Sequence, residues 1–101
     1  MKTSVFRFQF EPNVSHIEAE QTLHLSIFAV EGLFGQARVR MDASYYTDEP
    51  RRTFLVDGTT EIGDAVVRVF TSLLTRELGE DGFQVRRVES NPAPRTEGRV
   101  A

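Results

Sequence analysis

A long apolar repeat lies between Thr59 and Gly79. Its apolar residues recur at steps of three and four, a spacing that aligns them on one stripe of an α-helix. These residues are Ile62, Val66, Val69, Phe70, Leu73, Leu74 and Leu78. Thr59 or Thr60 can cap the start of this helix, and Gly79 can adopt the left-handed conformation that ends one.

Alternation between apolar and polar residues predicts strands before and after this helix. In residues 4–10, Phe6, Phe8 and Phe10 share one side of the first strand and Arg7 lies on the other. The same alternation predicts a long second strand over residues 36–46, a returning strand over 52–56 and a last strand over 83–88.

A second helix is predicted near the start of the chain. Ser15 and Glu18 form a capping box, in which each side chain can bond a backbone N–H of the first turn. We expect the helix to run from His16 to about Glu31 and to end at Gly32. Residues 23–29 also alternate as a strand would, but the length of the segment and its capping signal favour a helix.

The resulting order is β-α-β-β-α-β, which is the order of a ferredoxin-like sandwich. We therefore predict an α+β fold with a four-stranded antiparallel sheet and two helices on one face. The first and third strands should be central and the second should lie at an edge. Residues 1–89 form a single domain in this prediction, and residues 90–101 form a disordered tail that has too few apolar residues to fold. The predicted core comprises Phe6, Phe8, Phe10, Leu23, Ile27, Val39, Met41, Phe54, Val56, Ile62, Val66, Val69, Phe70, Leu73 and Val85.

The composition excludes several classes of function. The sequence of 101 residues contains no cysteine, which removes disulfides, thiolate catalysis and cysteine metal sites. Its formal net charge of -3 gives no overall attraction to nucleic acid or to an anionic membrane. The first ten residues lack the apolar run of a signal peptide, and no apolar run reaches the roughly 20 residues of a membrane span. We expect a cytoplasmic protein with no membrane partner.

Four arginines are predicted on the sheet face that the helices leave open. They are Arg7, Arg38, Arg40 and Arg86. Arginine binds phosphate through paired hydrogen bonds, so this face could bind nucleic acid or a phosphate ligand. Tyr46 is the outward aromatic residue there, and the aromatic and glycine signature of RNA-recognition domains is missing. The alternative is a solvated face, or a contact between subunits, in which the arginines lie beside acidic residues.

A second candidate site is a polar stripe on the first helix. His16, Glu20 and His24 are spaced four residues apart, so that each lies one turn above the last. Imidazole and carboxylate groups at this spacing can bind a transition metal, which predicts a metal-binding module. The alternative is a solvated helix flank on which Glu20 pairs with a histidine.

The same helix carries more apolar surface than one sheet can cover. Ile17, Leu25 and Phe28 lie on a second side of it, and Leu33 and Phe34 follow. Such a surplus is often buried against another copy of the chain. The favoured hypothesis is therefore a small, self-associating interaction or scaffold domain. The sequence lacks a nucleophile elbow, a phosphate loop and a dinucleotide fingerprint, so we lean against an enzyme and predict no cofactor.

Overall fold

The computed structural model describes residues 3–90. Its strands are β1 (Thr3–Phe10), β2 (Tyr45–Asp48), β3 (Thr53–Asp57) and β4 (Phe83–Ser90). Its helices are α1 (His16–Phe34), α2 (Gln36–Asp42) and α3 (Glu61–Leu78). The α+β class is confirmed, whereas the expectation of two helices is wrong, because these residues form three. No helix in this part of the chain is both long and apolar enough to span a membrane.

The four strands form one sheet in the order β2-β3-β1-β4. Every neighbouring pair is antiparallel, which confirms the predicted four-stranded antiparallel sheet. β1 and β3 lie in the centre and β2 lies at an edge, as predicted. β4 ends at Ser90, opposite Thr3 on β1, and so continues one residue past the predicted domain limit. Residues 91–101, the remainder of the predicted tail, lie outside the described residues.

Helix α1 begins where the capping box predicts and ends later than predicted. The Ser15 hydroxyl accepts a hydrogen bond from the backbone N–H of Glu18 at 3.3 Å. The helix continues through Gly32 and ends before Gly35, whose φ is 92°. The backbone N–H of Gly35 donates to the carbonyl oxygen of Glu31 at 2.8 Å. A positive φ is accessible to glycine at little cost, so Gly35 is the residue that ends the helix.

The predicted second strand is wrong over most of its length. Residues 36–42 form helix α2, which follows α1 after the single residue Gly35, and only Tyr45–Asp48 pairs with the sheet. Glutamine, alanine, arginine and methionine are strong helix formers, and they make up most of this segment. Helix α2 buries Val39 but leaves Met41 84% exposed. The prediction that Met41 is a core residue is therefore wrong.

Helix α3 forms where the apolar repeat predicts it. The Thr60 hydroxyl accepts a hydrogen bond from the backbone N–H of Gly63 at 2.9 Å and donates to the carbonyl oxygen of Asp42 at 3.1 Å. Thr60 thus caps α3 and also ties it to the end of α2. Gly79 ends the helix with a φ of 76°.

The core lies between the sheet and the helix layer. Its buried apolar residues are Phe8, Phe10, Ala19, Leu23, Val30, Val39, Phe54, Val56, Ile62, Val66, Val67, Phe70, Leu74 and Phe83. Five predicted members, Phe6, Ile27, Val69, Leu73 and Val85, are less buried than expected. Val85 is 40% exposed and its assignment to the core is wrong. It pairs with Phe8 on the helix side of the sheet, but β4 is an edge strand that the helices cover incompletely.

Candidate functional site

Helix α1 has one buried side and one exposed apolar side. Its buried residues are Ala19, Thr22, Leu23, Ser26 and Val30. On the opposite side, Ile17, Leu25 and Phe28 are 66%, 53% and 70% exposed. We call the surface formed by Ile17, Gln21, His24, Leu25 and Phe28 the outer face of α1.

Small polar residues explain why the larger apolar side chains of α1 remain outside. Ser26 is fully buried and donates a hydrogen bond to the carbonyl oxygen of Thr22 at 2.8 Å. The Thr22 hydroxyl lies 2.9 Å from Oε1 of Glu77 on α3 and can donate to it. These short side chains keep their hydrogen bonds within the helix pair, so α1 can approach α3 closely with its small side. The bulky residues are left on the side facing away.

Two residues of the predicted interface lie elsewhere. Leu33 is 76% exposed, but it follows Phe28 by five residues and so lies about 140° further round the helix axis. Phe34 is half-buried and packs against the core. The Arg38 guanidinium lies over the Phe34 ring, 5.5 Å from its centre. Three of the five predicted interface residues therefore belong to the outer face of α1.

The three predicted metal ligands do not converge, because His24 is turned away from the other two. Nε2 of His16 lies 3.8 Å from Oε1 of Glu20, and the His16 ring meets the Phe54 ring edge to face. Nε2 of His24 instead lies 3.0 Å from the hydroxyl of Tyr45 on β2. Among the described residues, no group of three or more histidine, aspartate or glutamate side chains is placed to hold a metal ion.

The predicted four-arginine face is wrong, because two of the four are on a helix. Arg38 and Arg40 belong to α2 and are not part of the sheet. Arg7 and Arg86 do share the open face, where they are direct cross-strand neighbours on β1 and β4. Among the side chains that the structure describes, neither of them lies within ion-pair distance of a carboxylate.

Strand register places Arg7 and Arg86 in a row that crosses the open face. Tyr46 on β2 is opposite Leu55 on β3, Leu55 is opposite Arg7, and Arg7 is opposite Arg86. Tyr46 is 61% exposed and Leu55 is half-buried. Beside this row lies a shallow cavity of about 400 Å³, lined by Arg7, Tyr46, Leu55 and their neighbours in the next row.

A second cavity, of about 350 Å³, lies where α1, α2 and β2 meet. It is lined by His24, Ile27, Phe28, Glu31, Val39, Arg40, Ala43 and Tyr45. Arg40 therefore lies beside the C-terminal half of α1, next to the outer face. This cavity is not foreseeable from the sequence, because the alternation of residues 36–46 predicts a strand of the sheet in place of α2.

Comparison with protein-family models, with curated proteins and with solved structures gave no match to this chain. The candidate functional surfaces are therefore identified from the structure alone. They are the outer face of α1 and the open face of the sheet.

Proposed function

We propose that this chain is a small, non-catalytic interaction domain that associates with a second copy of itself through the outer face of α1. The observation that supports this proposal is the exposure of Ile17, Leu25 and Phe28 at 66%, 53% and 70%. Fully burying one such side chain contributes about 1.5–3 kcal/mol. A symmetric dimer would bury each of the three twice.

The outer face of one chain can pack against the same face of a second chain, because its residues are arranged symmetrically about the middle of α1. Residues 17 and 28 have the same midpoint along the helix as residues 21 and 24. When two copies of α1 pack antiparallel, Ile17 therefore meets the partner's Phe28, and Gln21 meets the partner's His24. Ile17 and Phe28 then lie at the two ends of the contact, and a pair of polar side chains that can hydrogen-bond lies at its centre. Leu25 lies beside that pair, next to the partner's Glu20. A two-fold axis requires this kind of self-complementary surface.

The charges next to the outer face support the same arrangement. Glu18 and Glu20 lie in the N-terminal half of α1, and Arg38 and Arg40 lie on α2, which packs against α1. Arg40 is beside the C-terminal half of α1. Glu31 lines the same cavity as Arg40 of its own chain, and antiparallel packing would bring Glu18 and Glu20 toward the partner's arginines. Such complementarity directs orientation and speeds association.

Sedimentation velocity over a range of micromolar concentrations tests the dimer. We expect the wild-type chain to form a dimer and Phe28→Glu to be a monomer, because the new carboxylate would be buried against apolar residues. Ser72→Glu is the matched control, since it adds the same charge at an exposed position of α3. A monomeric wild-type chain, or a Phe28→Glu variant that still dimerises, contradicts the proposal.

A charge exchange tests the orientation of the two helices. Arg40→Glu should weaken the dimer, and adding Glu20→Arg in the same chain should restore part of the lost affinity. If the double variant is weaker than Arg40→Glu alone, the two copies do not pack antiparallel.

We also infer that the sandwich is ferredoxin-like, with α2 as an addition to the β-α-β-β-α-β order. The strand order and the antiparallel pairing support this classification. The cysteine-free composition is consistent with a reducing compartment, so we propose a cytoplasmic location.

A further inference from the structure

We infer that the open face of the sheet binds a nucleotide, with its phosphate groups between Arg7 and Arg86 and its base against Tyr46. This site is separate from the outer face of α1 and does not depend on dimer formation.

The arginine pair is the first reason. Arg7 and Arg86 are directly opposite each other on β1 and β4. Like charges at directly opposed positions destabilise a sheet, and here no carboxylate among the described residues pairs with either guanidinium. A phosphate between the two would relieve the repulsion, and each planar guanidinium can donate two hydrogen bonds to it.

The row across the sheet supplies the second part of the site. Neighbouring strands lie about 4.8 Å apart, so Tyr46 is about 10 Å from Arg7, with Leu55 between them. A sugar and its phosphate chain can bridge such a distance. The exposed Tyr46 ring offers a surface on which a planar base can stack, as aromatic residues do in single-strand binding sites. Leu55 supplies an apolar floor between the two ends.

The neighbouring row is held in a fixed arrangement. Oε1 of Gln9 accepts a hydrogen bond from the Thr53 hydroxyl at 3.0 Å, and its Nε2 donates to the carbonyl oxygen of Arg51 at 2.9 Å. These bonds fix the wall of a cavity beside Arg7, Tyr46 and Leu55 whose volume, about 400 Å³, is within the range of small-molecule sites. Arg86 lies outside its lining, on the strand next to Arg7.

Charge also gives the site a direction. Nε of Arg51 lies 3.8 Å from Oδ2 of Asp48, which follows Tyr46 by two residues on β2. Asp48 and its partner Arg51 therefore lie at the tyrosine end with opposite charges, and the guanidinium groups of Arg7 and Arg86 give the other end its net positive charge. A phosphate group is attracted to the arginine end, while Asp48 can accept a hydrogen bond from an amino or hydroxyl group of the ligand. This polarity favours one orientation of a nucleotide.

Calorimetric titration with ADP tests the site, with adenosine and inorganic phosphate as partial ligands. We expect ADP to bind more tightly than either part, and Arg7→Gln and Arg86→Gln each to weaken ADP binding about tenfold. Tyr46→Leu should weaken it by a similar factor through loss of stacking. Arg76→Gln is the matched control, because it removes the same charge from an exposed position on α3.

A labelled single-stranded oligonucleotide distinguishes a free nucleotide from a nucleotide unit within a strand. If the oligonucleotide binds more tightly than ADP, and its binding weakens with salt and with Arg7→Gln, the ligand is the strand. Absence of binding by both probes at millimolar concentration would overturn the inference, as would equal losses in Arg7→Gln and Arg76→Gln. Phe28→Glu should leave ADP binding unchanged whatever its effect on the dimer. The two proposals can therefore fail separately.

Discussion

The ring of Phe8 on β1 lies 4.8 Å from the ring of Phe70 on α3, and both side chains are fully buried. On β3, the ring of Phe54 stacks on Phe70 with 6.0 Å between their centres. Phe70 is thus in contact with both central strands of the sheet. Phe70 holds α3 against the two central strands of the sheet.

Replacing the Phe70 ring should therefore strongly destabilise the fold. We expect Phe70→Ala to lower the free energy of unfolding by about 3–5 kcal/mol, since it leaves a cavity between sheet and helix. Urea denaturation followed by circular dichroism measures the change. Met41→Ala, at a residue that is 84% exposed, should change stability by no more than about 0.5 kcal/mol. Similar losses in the two variants would contradict the packing described above.

Two helical glycines should respond to alanine in opposite directions. A Cβ at Gly63 would collide with the backbone carbonyl oxygen of Asp57, whereas a Cβ at Gly32 would meet nothing within 4 Å. Gly32→Ala should therefore raise stability by about 0.4–1 kcal/mol, because alanine is the better helix former. Gly63→Ala should lower stability despite the same gain in propensity. Thermal unfolding of the two variants gives the comparison, and stabilisation by both would show that α3 starts differently.

The cap of α3 should contribute more than the cap of α1. Thr60 makes two hydrogen bonds, one to Gly63 and one to Asp42, whereas Ser15 accepts one bond that is longer, at 3.3 Å. Loss of a cap costs about 0.5–2 kcal/mol. We expect Thr60→Ala to fall toward the upper end of that range and Ser15→Ala toward the lower end. Equilibrium denaturation decides the order, and a larger loss in Ser15→Ala would reverse it.

Two adjacent leucines of α3 should differ in their tolerance of charge. Leu74 is 1% exposed, whereas Leu73, which the apolar repeat places at the centre of the stripe, is half-buried. Leu74→Asp should abolish the cooperative unfolding transition, because an unpaired carboxylate in the core is very costly. Leu73→Asp should keep a transition at a lower temperature, since its carboxylate can reach water. Loss of the transition in Leu73→Asp alone would mean that the helix is rotated from the position described.

Where the sequence predicted the fold correctly, several local signals agreed. Helix α3 has an apolar repeat, a threonine cap and a terminal glycine, and Gly79 does end it with a positive φ. Strand β1 has three phenylalanines at alternate positions, and two of them, Phe8 and Phe10, are buried. In each element several buried residues repeat with a single period, 3.6 residues for the helix and two for the strand, so the pattern distinguishes a helix from a strand.

The segment after α1 could not be assigned by period. Residues 36–46 alternate like a strand, but in the helix that forms over residues 36–42 alternate residues lie on opposite sides, so that Val39 is buried and Met41 is 84% exposed. The assignment of this segment depends on whether α1 ends at Gly32 or at Gly35, and either glycine can end a helix. Only Gly35 takes a positive φ in the structure. The high helix propensity of residues 36–42 was the one local signal that favoured a helix.

The residues of the candidate surfaces are predictable only where they lie on an element that the sequence predicts correctly. Ile17, Leu25 and Phe28 were separated from the buried stripe by helical spacing alone, and their exposure agrees with that separation. Arg7 and Arg86 were placed by strand alternation. By contrast, the contact between His24 and Tyr45 depends on where β2 begins, and that position follows from α2. Because the sequence pattern does not predict α2, it cannot predict side-chain contacts such as this one, which depend on where α2 packs.

The position of β1 has a consequence for synthesis of the chain on the ribosome. This strand precedes both of its partners in the chain, because its two sides pair with residues 53–57 and with residues 83–90. Its three phenylalanines therefore remain without their final neighbours until almost the whole described region has been made. During that interval the nascent chain carries an unpaired apolar strand, which is the kind of segment that chaperones bind and that aggregates when left exposed.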